Sequence, residues 1–201
     1  SEYVGSYAQR LAWLTGFQGS AGSAVVLPEE AAIFTDGRYT IQVRQQVSPT
    51  EWSYQSVPET SVAKWLQENA PSGARIGYDP WLHTSDWVKQ ATKSLGAKGA
   101  ELMPVRRNPI DAVWSDQPEP SKARLIVQPD AMAGKNSAEK RHELADWLHK
   151  EGADSAVLAA LDSIAWTFSV RGADVTHTPV ALAFALVNAD GTADLFVEGE
   201  K

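Results

Sequence analysis

The chain has 201 residues, 43% of them hydrophobic, enough for one large buried core or two small ones. Its net charge of -7 argues against a nucleic-acid backbone as main partner, because phosphate binding needs a basic surface. No run approaches the roughly 18 apolar residues of a membrane span. The lack of cysteine excludes disulfides, thiolate metal sites and a Cys nucleophile, and fits a reducing cytoplasm.

In chain order, Ser23–Leu27 and Ala32–Thr35 are β-rich runs around Pro28-Glu29-Glu30, which predicts a hairpin. Asp36-Gly37 turns the chain into a helical stretch, Tyr39–Val47. Trp52–Ser56 alternates as a strand does. Thr60 or Ser61 caps a short helix that ends before Pro71-Ser72-Gly73. Arg75–Tyr78 is a strand, Ser85 to about Leu95 a helix, and Ala100–Val105 a further strand. Strands alternating with helices of this length predict an α/β layered domain.

Pro punctuation from Arg106 to Ser121 reads as a linker and divides the chain into domains 1–118 and 119–201. Beyond it, Asn136 or Ser137 caps a helix that runs to Glu151 and is closed by Gly152. Ser155–Ala159 is a strand, and Asp162 caps the helical run Ser163–Phe168. Ala181–Val187 and Ala193–Val197 flank Asn188-Ala189-Asp190-Gly191 as a second hairpin. The halves share an order: an Ala-Trp element (Ala12-Trp13, Ala165-Trp166), a Gly-containing loop, a hairpin, then Phe-x-acid-Gly. This order predicts a duplicated domain. The first copy then lacks an initial helix and strand and the second lacks its end, so a sheet edge should be exposed in each.

The residues with chemical potential have plain structural readings. Gly16-Phe17-Gln18-Gly19-Ser20-Ala21-Gly22 has GxxGxxG spacing and precedes a strand, so it suits a turn better than a phosphate cradle. Ser20 lacks the strand-before, helix-after setting of an elbow nucleophile. Glu139, His142, Asp146 and His149 share one helix face, but Leu144 and Leu148 mark the opposite, core-facing side. His83 and His177 have no carboxylate at ligand spacing. Arg38, in Asp36-Gly37-Arg38-Tyr39 at a strand end, can hold an anion or pair with Asp36. Arg171-Gly172-Ala173-Asp174 suggests an ion pair pinning a loop. No catalytic residue and no metal ligand set emerges.

The run Leu11–Gly22, followed by Thr35-Asp36-Gly37-Arg38-Tyr39, resembles the N-terminal domain of three-domain Xaa-Pro aminopeptidases of the creatinase/prolidase superfamily. Asn108-Pro109-Ile110-Asp111, Trp114 and Pro118 resemble that family's linker. Leu161-Asp162-Ser163-Ile164-Ala165-Trp166, Val170–Val175 and Pro179-Val180 resemble its second domain, with departures at Thr167 and Ser169, where Leu and Asn are usual. The resemblance implies two α/β creatinase-type domains with mixed sheets flanked by helices. It also implies a dimeric, cytoplasmic parent enzyme that removes an N-terminal residue preceding proline. Its absent pita-bread domain would hold two divalent ions, usually Mn²⁺, through two Asp, one His and two Glu, to activate a water. The resemblance makes Phe17, Gln18 and Ser20 substrate-side candidates, with Arg38 beside them. Burial of Phe17 in its own domain's core would take away the basis of that substrate-side suggestion. The alternative is a metal-free interaction module of the kind found in the large subunit of the FACT histone chaperone.

Overall fold

Helix α1 (Arg10–Thr15) opens the first unit and stops at Gly16, whose φ of 81° is open to glycine at little cost. Strands β1 (Gly22–Val26) and β2 (Ala31–Thr35) pair antiparallel, with Gly22 opposite Thr35 and Val26 opposite Ala31. A 3-10 turn over Gly37–Tyr39 leads into α2 (Thr40–Gln46), and β3 (Ser53–Ser56) returns parallel to β2. Strand β2 is therefore central, and Ala32, Ile33 and Phe34 are all fully buried. Its side chains alternate between two cores. Ala32 and Phe34 pack on Trp65, Leu66 and Ala70, which belong to or follow α3 (Val62–Asn69). Ile33 packs on Phe17, Val43, Val47 and Trp52.

The first unit continues with β4 (Arg75–Tyr78), α4 (Ser85–Gly96) and β5 (Glu101–Pro104), the two strands pairing in parallel. Helix α4 begins at Ser85 as expected, and Thr84 caps it, its hydroxyl accepting the Trp87 N–H. The stretch read as a linker contains a helix, α5 (Pro109–Val113). Asn108 caps it and Pro109 occupies its first turn, where the missing N–H costs nothing. This computed structural model describes residues 4–199. They divide into two units, Gln9–Gln117 and residues 118–199 with 4–8.

The second unit begins with β6 (Ile126–Val127), α6 (Asp130–Ala133) and α7 (Ser137–Glu151). A capping box of Asn136 and Glu139 starts α7, and Gly152, at φ 67°, ends it. Then follow β7 (Ser155–Leu158), α8 (Leu161–Thr167), β8 (Val170–Arg171), β9 (Phe184–Asn188) and β10 (Ala193–Phe196). Strand β9 is central, antiparallel to both β10 and β7. Two expectations are corrected. Residues 181–183 precede the strand, and Ala160 rather than Asp162 borders α8; the Asp162 carboxylate accepts the adjacent Ser163 N–H inside the first turn.

Lys140 on α7 is 2% exposed. Its ammonium donates to the Trp166 carbonyl (2.8 Å) and to Ser169 Oγ (3.0 Å), and lies 4.9 Å from the Trp166 ring centroid. Ser137 Oγ donates to the Thr167 carbonyl nearby. The last carbonyls of α8 carry partial negative charge, so they can compensate a desolvated cation.

Candidate functional site

Because Gly22 pairs with Thr35, the glycine-rich loop before β1 and the Asp36–Tyr39 turn after β2 lie at one end of the same sheet. Tyr39 links them. Its hydroxyl accepts the Ser20 N–H (3.2 Å) and shares a 2.7 Å hydrogen bond with Ser20 Oγ, which lowers the phenol's pKa from its ordinary value. Its ring meets Phe17 edge to face at 5.4 Å. The Gln18 N–H donates to Gln46 Oε1 on α2, and the Phe17 N–H to Thr15 Oγ1.

Phe17 is 1% exposed and sits with Ile33, Val43, Val47 and Trp52, so its side chain anchors the loop, and the substrate-side suggestion loses the basis that an outward-facing Phe17 would have given it. This burial also explains the glycines. A Cβ at Gly19 would come within 2.2 Å of the Phe17 ring and 2.8 Å of Tyr39. The loop is glycine-rich to let two rings approach its backbone. The sequence could have revealed this only by treating Phe17 as a core residue inside a loop.

Gln18 and Ser20 are exposed, as is Arg38. The Arg38 guanidinium clamps Asp36 through Nε–Oδ1 (3.0 Å) and Nη2–Oδ2 (2.7 Å) and lies 5.2 Å from the Tyr39 ring centroid. Hydrogen bonding from Arg38 holds the Asp36 carboxyl below its ordinary range. Asp36 also accepts the Arg38 N–H and so caps the turn that begins at Gly37. Ser20 Oγ is hydrogen-bonded to a phenol, not to an imidazole or carboxylate, and so lacks the base that would activate a nucleophile. What this end of the sheet offers is exposed hydrogen-bonding groups at Gln18 and Ser20 and an Arg38–Asp36 ion pair.

In the second-unit motif Arg171 donates to the Val170 (2.8 Å) and Ala165 (3.3 Å) carbonyls, and Asp174 Oδ2 accepts the Leu182 N–H (2.7 Å), so both side chains pin the loop through backbone groups. A Cβ at Gly172 would lie 2.7 Å from the Ala181 nitrogen, so this loop is in close backbone contact with the segment entering β9. On α7, Glu139 serves the capping box, and His142, Asp146 and His149 are exposed opposite the buried Ala145 and Leu148. A ring nitrogen of His83 hydrogen-bonds the Asp79 carbonyl, and the ring packs against Tyr78 and Trp87. His177 is an exposed loop residue at φ 62°. Among the described residues no three His, Asp or Glu side chains group so as to hold a metal, and no helix is long and apolar enough to cross a membrane.

The sequence reading missed two side-chain arrangements. Arg10 grips Asp111 through both carboxylate oxygens (2.6 and 2.9 Å), and Trp13 stacks on Trp114 at 5.5 Å. The Arg10 contact, aided by Gln117, holds the Asp111 carboxyl below its ordinary range. A separation of 101 positions leaves no local signal.

The described residues thus form two α/β units, the first carrying a loop-and-turn platform at one end of its sheet. Family comparison places them: the Creatinase/Prolidase N-terminal domain model matches residues 4–113, and a second model of the same description matches 116–201. The chain belongs to the creatinase/prolidase N-terminal domain family and carries two such domains. It is 37% identical to Aminopeptidase P1 of Arabidopsis thaliana over 202 residues, covering 100% of this chain and 31% of that protein. A probable Xaa-Pro aminopeptidase P of Aspergillus clavatus is 36% identical over 207 residues, with the same coverages. The crystal structure of X-prolyl aminopeptidase from Caenorhabditis elegans, a cytosolic enzyme with a di-nuclear active site, matches with a TM-score of 0.86. That match is 31% identical and covers 100% of this chain and 33% of the worm chain. The chain thus spans about a third of the length of the curated relatives it matches.

Proposed function

We propose that this chain is the non-catalytic N-terminal part of a metal-dependent Xaa-Pro aminopeptidase, which removes an N-terminal residue preceding proline. The observation that carries this reading is the full coverage of the chain by relatives bearing that activity in their names, with both halves matching one domain type. Two divalent ions, manganese by the family pattern, would then be held by residues of the pita-bread domain. Among the described residues no group of His, Asp or Glu side chains is placed to hold them. The chain's part is support: a homodimeric, cytoplasmic assembly in which Gln18, Ser20 and Arg38 face the peptide near the active-site entrance. Their exposure at one end of the β1–β2 sheet supports that placement, independently of the buried Phe17.

The test is to incubate this chain, and separately the longer polypeptide containing it, with Arg-Pro-Pro and Mn²⁺. We expect Arg release from the longer protein alone, abolished by chelation. Turnover by the 201-residue chain, with stoichiometric metal retained after dialysis, would sink the reading. A longer protein that neither binds metal nor turns over would favour a peptidase-like binding module. Within the active protein, Arg38→Met should raise KM for the peptide more than it lowers kcat.

A further inference from the structure

The sheet of the second unit is covered on one face only. Strand β9 alternates cleanly: Ala185 and Val187 are buried, whereas Phe184 is 61% exposed. The pairing register puts Phe196 opposite Phe184, and puts Leu186 opposite both Asp194 and Val157. Cross-strand partners share a face. Val157, Phe184, Leu186 and Phe196 therefore form one apolar surface, with Ser155, Asn188 and Asp194 as its polar members. Val157 is 73% and Phe196 57% exposed. The opposite face, with Leu158, Ala185 and Leu195, packs against α8, and α7 lies along β9.

In the first unit the hairpin sheet is covered on both faces. Helix α3 lays Trp65 and Leu66 over Ala32 and Phe34, with Trp65 edge to face on Phe34 at 6.0 Å. The other face takes α1 and α2 residues. The two units match the same domain type, and in each a helix bearing an Ala-Trp pair leads into the hairpin. Among the described residues, the second unit thus has the α1-like cover and no α3-like one.

We propose that this exposed face seats an amphipathic helix of the longer polypeptide, a helix that presents a large aromatic and a neighbouring aliphatic residue as α3 does. The proposal rests on the reading above that the chain is part of such a polypeptide. Two observations commit it to this occupant. The relatives are about three times as long as this chain, so they have residues available for the role. The face also has the apolar centre and polar margin of a surface that receives one helix. Asp194, the charged member of the face, calls for a Lys or Arg on the flank of that helix.

Hydroxyl-radical footprinting at matched dose would compare Phe184 and Phe196 in the 201-residue chain and in the longer polypeptide. Oxidation of both should be high in the short chain and fall severalfold in the long one. Phe184→Asp should leave the melting temperature of the short chain unchanged and lower that of the long one. A long variant that fails to fold while the short one folds supports the same conclusion. Equal oxidation in both proteins overturns the proposal. Protection that grows with concentration of the short chain overturns it too, by making the occupant a second copy. An aminopeptidase assay on the longer protein is independent: loss of that activity reading leaves the footprint comparison standing.

Discussion

In the first unit, α1 is fastened by residues far downstream: Asp111 grips Arg10, and Trp114 stacks on Trp13, both in or just after α5. In the second unit, α8 is fastened by a helix that precedes it. Lys140 and Ser137 of α7 bond its last carbonyls, and the Lys140 ammonium lies over Trp166. Both tryptophans remain partly exposed, Trp13 at 40% and Trp166 at 49%. One fastening is a partly buried ion pair, the other a buried cation with no carboxylate partner among the described residues. The sheets differ likewise. Strand β2, the second of its hairpin, is central because β3 follows it, whereas β9, the first of its hairpin, is central because β7 precedes it. Similar units therefore reach closure from opposite sides of the hairpin.

The largest expected effect tests the covered and uncovered faces. Phe34→Ala removes a fully buried ring between β2 and α3 and should destabilise the first unit by about 3–5 kcal/mol. Phe184→Ala removes an exposed ring, and should change the stability of this chain by no more than about 0.5 kcal/mol. Urea unfolding of each variant decides; similar losses would erase the distinction between the two sheets.

The fastenings come next. Lys140→Met keeps most of the buried stem but withdraws two hydrogen bonds at the end of α8, for a loss of about 1–3 kcal/mol. Arg10→Met should cost about 1 kcal/mol or less and, unlike Lys140→Met, lose part of its effect in high salt. An equal salt dependence for the two would contradict the assignment of one as an ion pair still open to solvent and the other as a fully buried cation.

The same contrast has a pH signature. The Asp111 carboxyl is held below its ordinary range, so its stabilisation is complete above the unfolded carboxylate value and is lost as pH falls through the lower folded value. Acid titration followed by Trp fluorescence should show this limb in the parent chain and a flatter one in Arg10→Met. Lys140→Met should retain it. The smallest effect is expected at the platform: Tyr39→Phe deletes the bonds to Ser20 but keeps the ring against Phe17, costing about 1 kcal/mol or less. Faster proteolysis within residues 16–22, with little change in the melting temperature, is the readout.

Much of the architecture could be read locally. Ser61 before α3, the Asn136 and Glu139 box with the closing Gly152 on α7, and the β1–β2 hairpin around Pro28 all depend on residues a few positions apart. The motif runs Leu11–Gly22 and Leu161–Val175 pointed to the family for the same reason: they are contiguous words. The candidate site was less legible. The sequence brought out Gln18, Ser20, Asp36 and Arg38, but grouped Phe17 with them, because nothing local distinguishes a ring that faces outward from one that enters the core beneath its own loop.

What the amino-acid order by itself determined was therefore local: where helices are capped, where hairpins turn, and where Gly152 closes α7. Only the tertiary structure decided that Lys140 would lie buried on the end of α8, that Arg10 would find Asp111, and that one face of the second sheet would stay open. The physical reason is range. Caps and turns are settled by hydrogen bonds within a few residues, whereas burial and charge pairing depend on partners 26 to 101 positions away, brought near only when the sheets form.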